Sequence, residues 1–323
     1  MNFSVSELQK RLQQAGYISE DELAVSIYLA VVLQKPLLVE GAPGVGKTEI
    51  ARALAAVFDT DLIRLQCYEG LDENKALYEW NYQRQLLKIQ ILKDLACRQE
   101  EVEKDLFSRE YLLPRPLLQA ITAPRRVVLL IDEVDKVDAP FEAFLFELLS
   151  DFQISIPELG TIKAAHIPLV VLTSNGEREL SDGLKRRCVY LYIDFPGIEK
   201  EVAILQVKVP EAGYKLSLEI ARAVHYIRAN LAMQKQPSIA ETIDWARALV
   251  ALHAAGLQQD LIQQTAPVLL KNKADQDKLR QPEQLQQVWQ YAVTGRPPEG
   301  AAVTGTSAGE PGCNCGCGGH GKL

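Results

Sequence analysis

The fold of this sequence of 323 residues is decided by the stretch Gly41-Ala42-Pro43-Gly44-Val45-Gly46-Lys47-Thr48. The stretch fits the pattern G-x-x-x-x-G-K-[ST] and lies between an apolar run at residues 36–39 and a helical pattern at residues 48–57. Glycines allow backbone N–H groups to turn inward around phosphates, and the start of the following helix adds positive charge. Because both flanks are correct, the stretch predicts a phosphate-binding loop in preference to a glycine-rich turn with an incidental lysine.

Each part of this loop has an expected role toward a nucleoside triphosphate. The Lys47 ammonium would neutralise the β- and γ-phosphates, and the Thr48 hydroxyl would ligate Mg²⁺. The expected ligands are therefore ATP and Mg²⁺. The candidate nucleotide-binding residues are Gly41, Ala42, Pro43, Gly44, Val45, Gly46, Lys47, Thr48 and Glu49.

The elements around the loop predict an α/β core with a parallel sheet. A strand at residues 36–39, a helix and a second strand at residues 62–67 have the spacing of a βαβ unit. Further strands are predicted at residues 127–131, 169–172 and 189–193, a hairpin at 154–162, and helices at 4–33 and 141–149. Residues 70–113, including 76–80, are predicted to be helical. Ser4 is expected to cap the first helix.

An acid pair, Asp132-Glu133, follows the wholly apolar strand predicted at residues 127–131. On its own such a pair is an ordinary loop feature, but hydrolysis at a phosphate loop requires a metal carboxylate and a group that positions water. Asp132 is therefore the candidate Mg²⁺ carboxylate. Glu133 is the candidate that orients or deprotonates the attacking water.

Two later features complete a candidate catalytic set. Asn175 follows the strand predicted at residues 169–172, where its amide could hydrogen-bond the attacking water, although an asparagine after a strand is often only a turn residue. Arg186 and Arg187 precede the last predicted strand. In this order they indicate an arginine finger that acts on the nucleotide of a neighbouring subunit, which implies a ring.

These motifs together resemble the MoxR family of AAA+ ATPases, and within it the CoxD-like branch. The resemblance covers about residues 15–290 in layout. The matching stretches are LLVEGAPGVGKTE at 37–49, LQCYEG at 65–70, ALYEW at 76–80, ELLSDF at 147–152, LTSN at 172–175 and ELSDGLKRRC at 179–188.

The resemblance implies a P-loop NTPase core of the AAA+ kind with a C-terminal α-helical lid, assembled as a hexameric ring. Such rings hydrolyse ATP to remodel or activate a client protein. CoxD-like members are associated with maturing molybdenum hydroxylases such as carbon monoxide dehydrogenase, commonly with a partner that has a von Willebrand factor A domain. The Arg-Cys pairing favours Arg187 as the finger, with Arg186 second.

The resemblance also assigns an insert to residues 68–95 and a hairpin to residues 154–162, both facing the ring pore or the client. An alternative is that Tyr68, Trp80 and Tyr82 only pack the insert. One departure concerns the lid, because residues 237–242 lack the sensor 2 arginine that many AAA+ proteins have there. Arg247 lies further along that predicted helix, and no sensor 2 residue is assigned.

The amino-acid composition limits the domain organisation and the kinds of partner that the sequence predicts. The predicted domains are an α/β core at residues 1–196, a helical lid at 197–293 and a flexible tail at 294–323, where Gly, Pro, Ser, Thr and Ala dominate. A net charge of -7 argues against nucleic acid as the main partner. Neither a signal peptide nor an apolar run long enough to cross a bilayer is recognisable, so a cytoplasmic protein without a membrane partner is expected.

The tail has a dense group of soft ligands at Cys313, Cys315, Cys317 and His320. Three thiols and an imidazole within eight positions could bind one Cu(I), Zn or Ni ion. The C-x-C spacing differs from that of zinc fingers, and a disordered tail with incidental cysteines is the alternative.

Three other functions fit parts of the sequence. Asn272-Lys273-Ala274-Asp275 matches the guanine-reading N-K-x-D motif of GTPases, but it lies in a helical region far beyond the loop. A nucleotide-dependent scaffold that binds without turnover is a second alternative, although Glu133 and Asn175 are both present. A DNA-remodelling ring is a third, without an appended DNA-binding motif to support it.

Overall fold

A computed structural model of the chain describes residues 4–93 and 106–297. Five parallel strands form the central sheet, in the order β2-β5-β8-β1-β9. Two antiparallel pairs, β3 with β4 and β6 with β7, lie outside it. The strands are β1 Leu37–Gly41, β2 Leu62–Gln66, β3 Tyr78–Trp80, β4 Leu112–Pro114, β5 Val128–Asp132, β6 Gln153–Ile156, β7 Gly160–Lys163, β8 Leu169–Ser174 and β9 Val189–Ile193.

The helices of the described residues precede, cover and follow this sheet. They are α1 Val5–Gln14, α2 Asp21–Leu33, α3 Lys47–Val57, α4 Glu73–Leu77, α5 Tyr82–Lys93, α6 Pro116–Ile121, α7 Ala139–Asp151, α8 Asp182–Arg187, α9 Ile198–Lys208, α10 Gly213–Asn230, α11 Ile239–Ala251, α12 Gln259–Leu269, α13 Lys273–Leu279 and α14 Pro282–Thr294. Short 3₁₀ turns lie at Arg109–Tyr111, Val134–Lys136 and Pro210–Ala212. The predicted cap of α1 is confirmed, since the Glu7 N–H donates to Ser4 Oγ.

The sheet is buried on both faces, which explains its apolar strands. Helices α1, α2 and α3 pack against one face, and α4, α6 and α7 pack against the other. Every residue of β5 and β8 is buried, as expected for central parallel strands. This arrangement places the carboxyl ends of β1, β5 and β8 side by side, where the predicted site residues follow.

The helical prediction for residues 70–113 is wrong in part. Tyr78–Trp80 forms strand β3, which pairs with Leu112–Pro114 in antiparallel register. The Trp80 ring is buried and meets the rings of Tyr78 and Phe107 edge to face. This pairing joins residues more than thirty positions apart, so local helical periodicity could not reveal it.

Other predictions from the residues are confirmed, with ends shifted by a few positions. The hairpin predicted at residues 154–162 is the β6–β7 pair. Strand β1 begins at Leu37 and continues to Gly41, two residues beyond its predicted end. The predicted α/β core with a parallel sheet, followed by a helical C-terminal region, is therefore the architecture that the chain adopts.

Helices α9 to α14 surround a hydrophobic cluster of their own, with the fully buried Trp245 within it. The domain boundaries predicted at residues 196 and 293 stay predictions. Among the described residues, every helix is too short or too polar to cross a membrane. The tail residues Cys313, Cys315, Cys317 and His320 lie outside the described ranges.

Candidate functional site

The phosphate loop joins the end of β1 to the start of α3. Gly44 and Gly46 both adopt left-handed backbone conformations, with φ of 75° and 96°. Side chains rarely tolerate this conformation, so glycine is required at both positions. A Cβ built on Gly46 would meet no atom within 4 Å, which leaves open space on that side of the loop. The loop therefore has both the backbone and the room that a bound phosphate requires.

Lys47 is the first residue of α3, and it is buried. Its Nζ donates to the backbone oxygens of Gly41 (2.7 Å) and Ala42 (2.8 Å) and to Asn175 Oδ1 (2.8 Å). Burial lowers the pKa of the ammonium, and the carboxylates of Asp135 and Asp132 oppose this shift. The structure thus brings Lys47 and Asn175 together from sequence positions 128 residues apart.

Asp132 lies at the carboxyl end of β5, beside the start of α3. Its Oδ1 accepts hydrogen bonds from Thr48 Oγ1 (3.0 Å) and from Thr173 Oγ1 (2.5 Å). Its Oδ2 pairs with the guanidinium of Arg64 on β2 at 2.5 Å. Paired hydroxyl and carboxylate oxygens are a donor set that suits Mg²⁺, so Thr48 and Asp132 fit the metal predicted for them. Sequence reasoning missed Arg64 and Thr173, which meet Asp132 only through sheet pairing.

Glu133 is the next residue after Asp132, and at Glu133 the chain leaves strand β5. Its backbone adopts a left-handed conformation with φ of 58°, and its N–H donates to Thr173 Oγ1 (2.9 Å). Its Oε2 accepts from Gln66 Nε2 (3.1 Å) and pairs with Lys136 Nζ (2.7 Å). The contacts with Gln66 and Lys136 therefore hold the Glu133 carboxylate at the edge of the site.

Asp135 connects the acid loop to the Asn175 loop. One carboxylate oxygen, Oδ2, accepts the backbone N–H groups of Asn175 and Glu177, each at 3.0 Å. The side chain is buried, and among the described residues its other oxygen, Oδ1, has no hydrogen-bond partner. Asp135 thus fixes the backbone that presents the Asn175 amide, a role that its sequence position alone did not indicate.

Replacing Asp135 by alanine is expected to lower steady-state ATP hydrolysis by roughly ten- to a hundredfold, because a small misplacement of a catalytic group is costly. ATP affinity should change less than turnover, since the hydrogen bonds of Lys47 to the Gly41 and Ala42 backbone oxygens remain. The control is Asp138→Asn, because asparagine can still cap α7 as the Asp138 carboxylate does at Phe141 N. Equal turnover in the wild type and Asp135→Ala would show that Asn175 does not depend on this anchor.

The two arginines lie far from the phosphate loop of the same chain. Arg187 ends α8, and its guanidinium lies 3.9 Å from the centre of the Phe146 ring. Two residues later, Val189 pairs with Leu37 at the amino end of β1, whereas the phosphate loop follows the carboxyl end of that strand. The four residue steps between these ends span about 13 Å. Arg186 and Arg187 are both exposed at the opposite edge of the sheet.

A cleft of about 430 Å³ lies between part of the phosphate loop and the helical region. Tyr17 lines it on one side, Gly46 and Glu49 on the loop side, and Ile239 and Arg247 on helix α11. The sequence left the reach of Arg247 open, and the structure places it on the cleft wall. The size of the cleft suits a small-molecule ligand bound against the loop.

The guanine-reading motif does not form part of this site. Asn272 caps α13 by accepting the Ala274 N–H (2.8 Å), and the buried Asp275 accepts the N–H groups of Gln234 and Lys235. Both side chains therefore have structural partners within the helical region. Within residues 4–93 and 106–297, no cluster of three or more potential metal ligands occurs.

Comparison with protein families assigns the core. Residues 36–188 match the AAA domain of the dynein-related subfamily, which confirms the predicted P-loop AAA+ fold of this core. No curated protein matches the chain.

Among solved structures, the chain is similar to RuvB of Thermotoga maritima, a Holliday junction branch migration motor. The identity is 18%, the match covers 83% of this chain and 71% of RuvB, and the TM-score is 0.44. A proline-to-glycine variant of that RuvB gives 18% identity, coverage of 82% and 72%, and a TM-score of 0.46. A threonine-to-valine variant of that RuvB gives 18% identity, coverage of 84% of this chain and 73% of the variant, and a TM-score of 0.46.

Proposed function

We propose that the chain is a Mg²⁺-dependent ATPase that works as a ring and remodels a client protein. The observation that carries the ATPase proposal is the convergence of Lys47, Thr48, Asp132, Glu133 and Asn175 at one edge of the sheet. Their side chains supply a phosphate cation, metal oxygens, a base and an amide for water, which is the set that hydrolysis of a triphosphate requires.

The contacts of Lys47 suggest how binding prepares catalysis. An ammonium has three N–H donors, and those of Lys47 have three acceptors: Gly41, Ala42 and Asn175. A phosphate oxygen at Lys47 must replace at least one of them. Replacement of the Asn175 contact would free that amide oxygen to orient water when the substrate is bound.

The chemical step then depends on Glu133. A water oxygen forms a bond to the γ-phosphorus, the bond from that phosphorus to the β-γ bridging oxygen breaks, and the water proton passes to the Glu133 carboxylate. Mg²⁺ held by Thr48 and Asp132 would neutralise charge on the phosphates. Arg64, paired with Asp132, orients that carboxylate.

Arg187 supports the ring, because it precedes the amino end of β9, whereas the phosphate loop of its own subunit follows the carboxyl end of the neighbouring β1. A neighbouring subunit could receive this arginine at its phosphate loop, as a finger in trans does. We extend this to a homohexamer, with Arg186 as the second candidate for the finger.

Arg187→Ala is expected to bind ATP normally and to lose roughly ten- to a hundredfold in turnover, since Arg186 leaves one cation at the same edge. Mixing it with Lys47→Ala protein, which supplies a finger but binds no ATP, should restore activity in mixed rings. Phosphate release measured across mixing ratios, with assembly followed by light scattering, checks this. Absence of rescue in assembled mixtures would contradict a finger in trans.

Client remodelling of the MoxR kind is supported by the sequence resemblance and by an exposed apolar surface on the insert. Tyr82, Leu86, Leu87 and Ile91 of α5 are each about 60% exposed. Tyr68 is also exposed, whereas Trp80 is buried, so the packing alternative holds for Trp80 alone. Such surfaces suit contact with another protein.

We propose that the client is a metalloenzyme of the molybdenum hydroxylase kind and that a von Willebrand factor A domain protein assists. Capture with the Glu133→Gln variant and ATP, followed by mass spectrometry, tests both, because a ring that cannot hydrolyse ATP should retain its client. Recovery of neither class under ATP would contradict the proposal. A Cu, Zn or Ni site at the tail cysteines stays a prediction.

A further inference from the structure

A buried ion pair joins three parts of the helical region that surround the nucleotide cleft. Arg228 of α10 and Glu201 of α9 form two parallel hydrogen bonds, Nη1 to Oε2 at 2.9 Å and Nη2 to Oε1 at 3.0 Å. The Arg228 side chain is 7% exposed and that of Glu201 is fully buried. This geometry is the bidentate form, which fixes the guanidinium plane as well as its position.

The same guanidinium also contacts two other segments of the chain. Its Nε donates to the Pro237 backbone oxygen (2.8 Å), and Nη2 reaches Thr242 Oγ1 (3.5 Å). Its central carbon lies 4.6 Å from the centre of the Phe195 ring, in the connection between β9 and α9. Arg228 therefore contacts the segment that leaves the sheet and the segment that begins α11.

The start of α11 touches the phosphate loop. Ser238 caps this helix through a reciprocal capping box with Glu241. A Cβ built on Gly44 would lie 2.4 Å from the Ser238 Cβ, so the loop and the helix approach as closely as glycine allows. Pro237 and Thr242, the two α11 contacts of Arg228, flank this point of approach on both sides.

We infer that Arg228, held by Glu201, is a positioning residue for nucleotide binding. Among the described residues that line the cleft, Arg228 does not occur, and its contacts with Pro237 and Thr242 instead fix the position of the α11 start relative to the phosphate loop. It thereby fixes the cleft wall that Ile239 and Arg247 form. The inference rests on the proposed binding of ATP at the phosphate loop.

The test separates positioning from stability. The Arg228→Ala variant would leave the buried Glu201 carboxylate without its cationic partner, and the protein could fail to fold for that reason alone. The double variant Glu201→Leu/Arg228→Met replaces the pair by apolar side chains of similar size, which usually preserves stability. It removes the contacts to Pro237, Thr242 and the Phe195 ring while keeping the core filled.

Titration with the fluorescent analogue mant-ATP is expected to show affinity reduced by about tenfold or more in the double variant, with a thermal unfolding midpoint near that of the wild type. Trp289→Phe is the matched control. It removes a hydrogen bond to the Leu257 backbone oxygen elsewhere in the helical region and should leave affinity unchanged.

Arg228→Lys provides a second test if the double variant does not fold. Lysine keeps the charge opposite Glu201 but lacks the planar fork that reaches Pro237 at the same time, so the same loss of affinity is expected. Wild-type affinity in a folded variant would overturn the inference. A wild-type protein that does not bind mant-ATP would instead overturn the proposed function, so the two failures are distinguishable.

Discussion

The Glu133→Gln variant is expected to bind ATP as the wild type does and to lose steady-state hydrolysis by about a thousandfold. Glutamine keeps the shape of the side chain and can still contact Gln66 and Lys136 through its amide oxygen. It cannot accept a proton from water. Phosphate release under saturating Mg-ATP and mant-ATP titration measure the two properties separately.

The matched control for this variant is Glu177→Gln. Glu177 is exposed, follows Asn175 in the next loop and carries the same charge close to the site. Its turnover should equal that of the wild type. If Glu133→Gln hydrolysed ATP at the wild-type rate, Glu133 would not be the base, and the carboxylate of Asp135 would become the next candidate.

Lys47→Ala is expected to abolish measurable ATP binding, which corresponds to an affinity loss of at least about a hundredfold. The variant removes the one cation buried within the described part of the phosphate loop, together with two hydrogen bonds to loop backbone oxygens and one to Asn175. Equilibrium titration with mant-ATP checks the prediction, with circular dichroism to confirm folding.

Lys136→Ala serves as the control for charge. Lys136 is also a cation near the acid pair, but its partner is Glu133, and it contacts neither loop carbonyl. Its loss should leave ATP affinity nearly unchanged. Tight ATP binding by a folded Lys47→Ala protein would place the nucleotide elsewhere than at residues 41–48.

The elements that could be predicted from the sequence are those with local signals. The phosphate loop has a fixed residue pattern between a strand and a helix, and the buried strands β5 and β8 are continuous apolar runs. Asp132, Glu133 and Asn175 each follow such a strand. Because parallel strands end at one edge of a sheet, their convergence with Lys47 followed from the predicted topology.

What could not be predicted depends on contacts between distant positions. In the sequence, Arg64 is an ordinary residue of a predicted strand. Only the pairing of β2 with β5 brings its guanidinium to Asp132. Arg247 lies on the cleft only because the start of α11 packs onto Gly44. The helical prediction for residues 76–80 is wrong at strand β3, because the partner strand β4 comes more than thirty residues later. Local pattern carries no information on such pairings.

We propose that this site hydrolyses ATP with Mg²⁺ and does not merely bind it. Steady-state phosphate release by the purified protein, with Mg-ATP, with Mg-GTP and with EDTA, distinguishes hydrolysis from binding alone. We expect turnover of ATP that EDTA abolishes, that GTP does not reproduce and that Glu133→Gln eliminates. Stoichiometric ATP binding without phosphate release would contradict it and would identify the chain as a nucleotide-dependent scaffold.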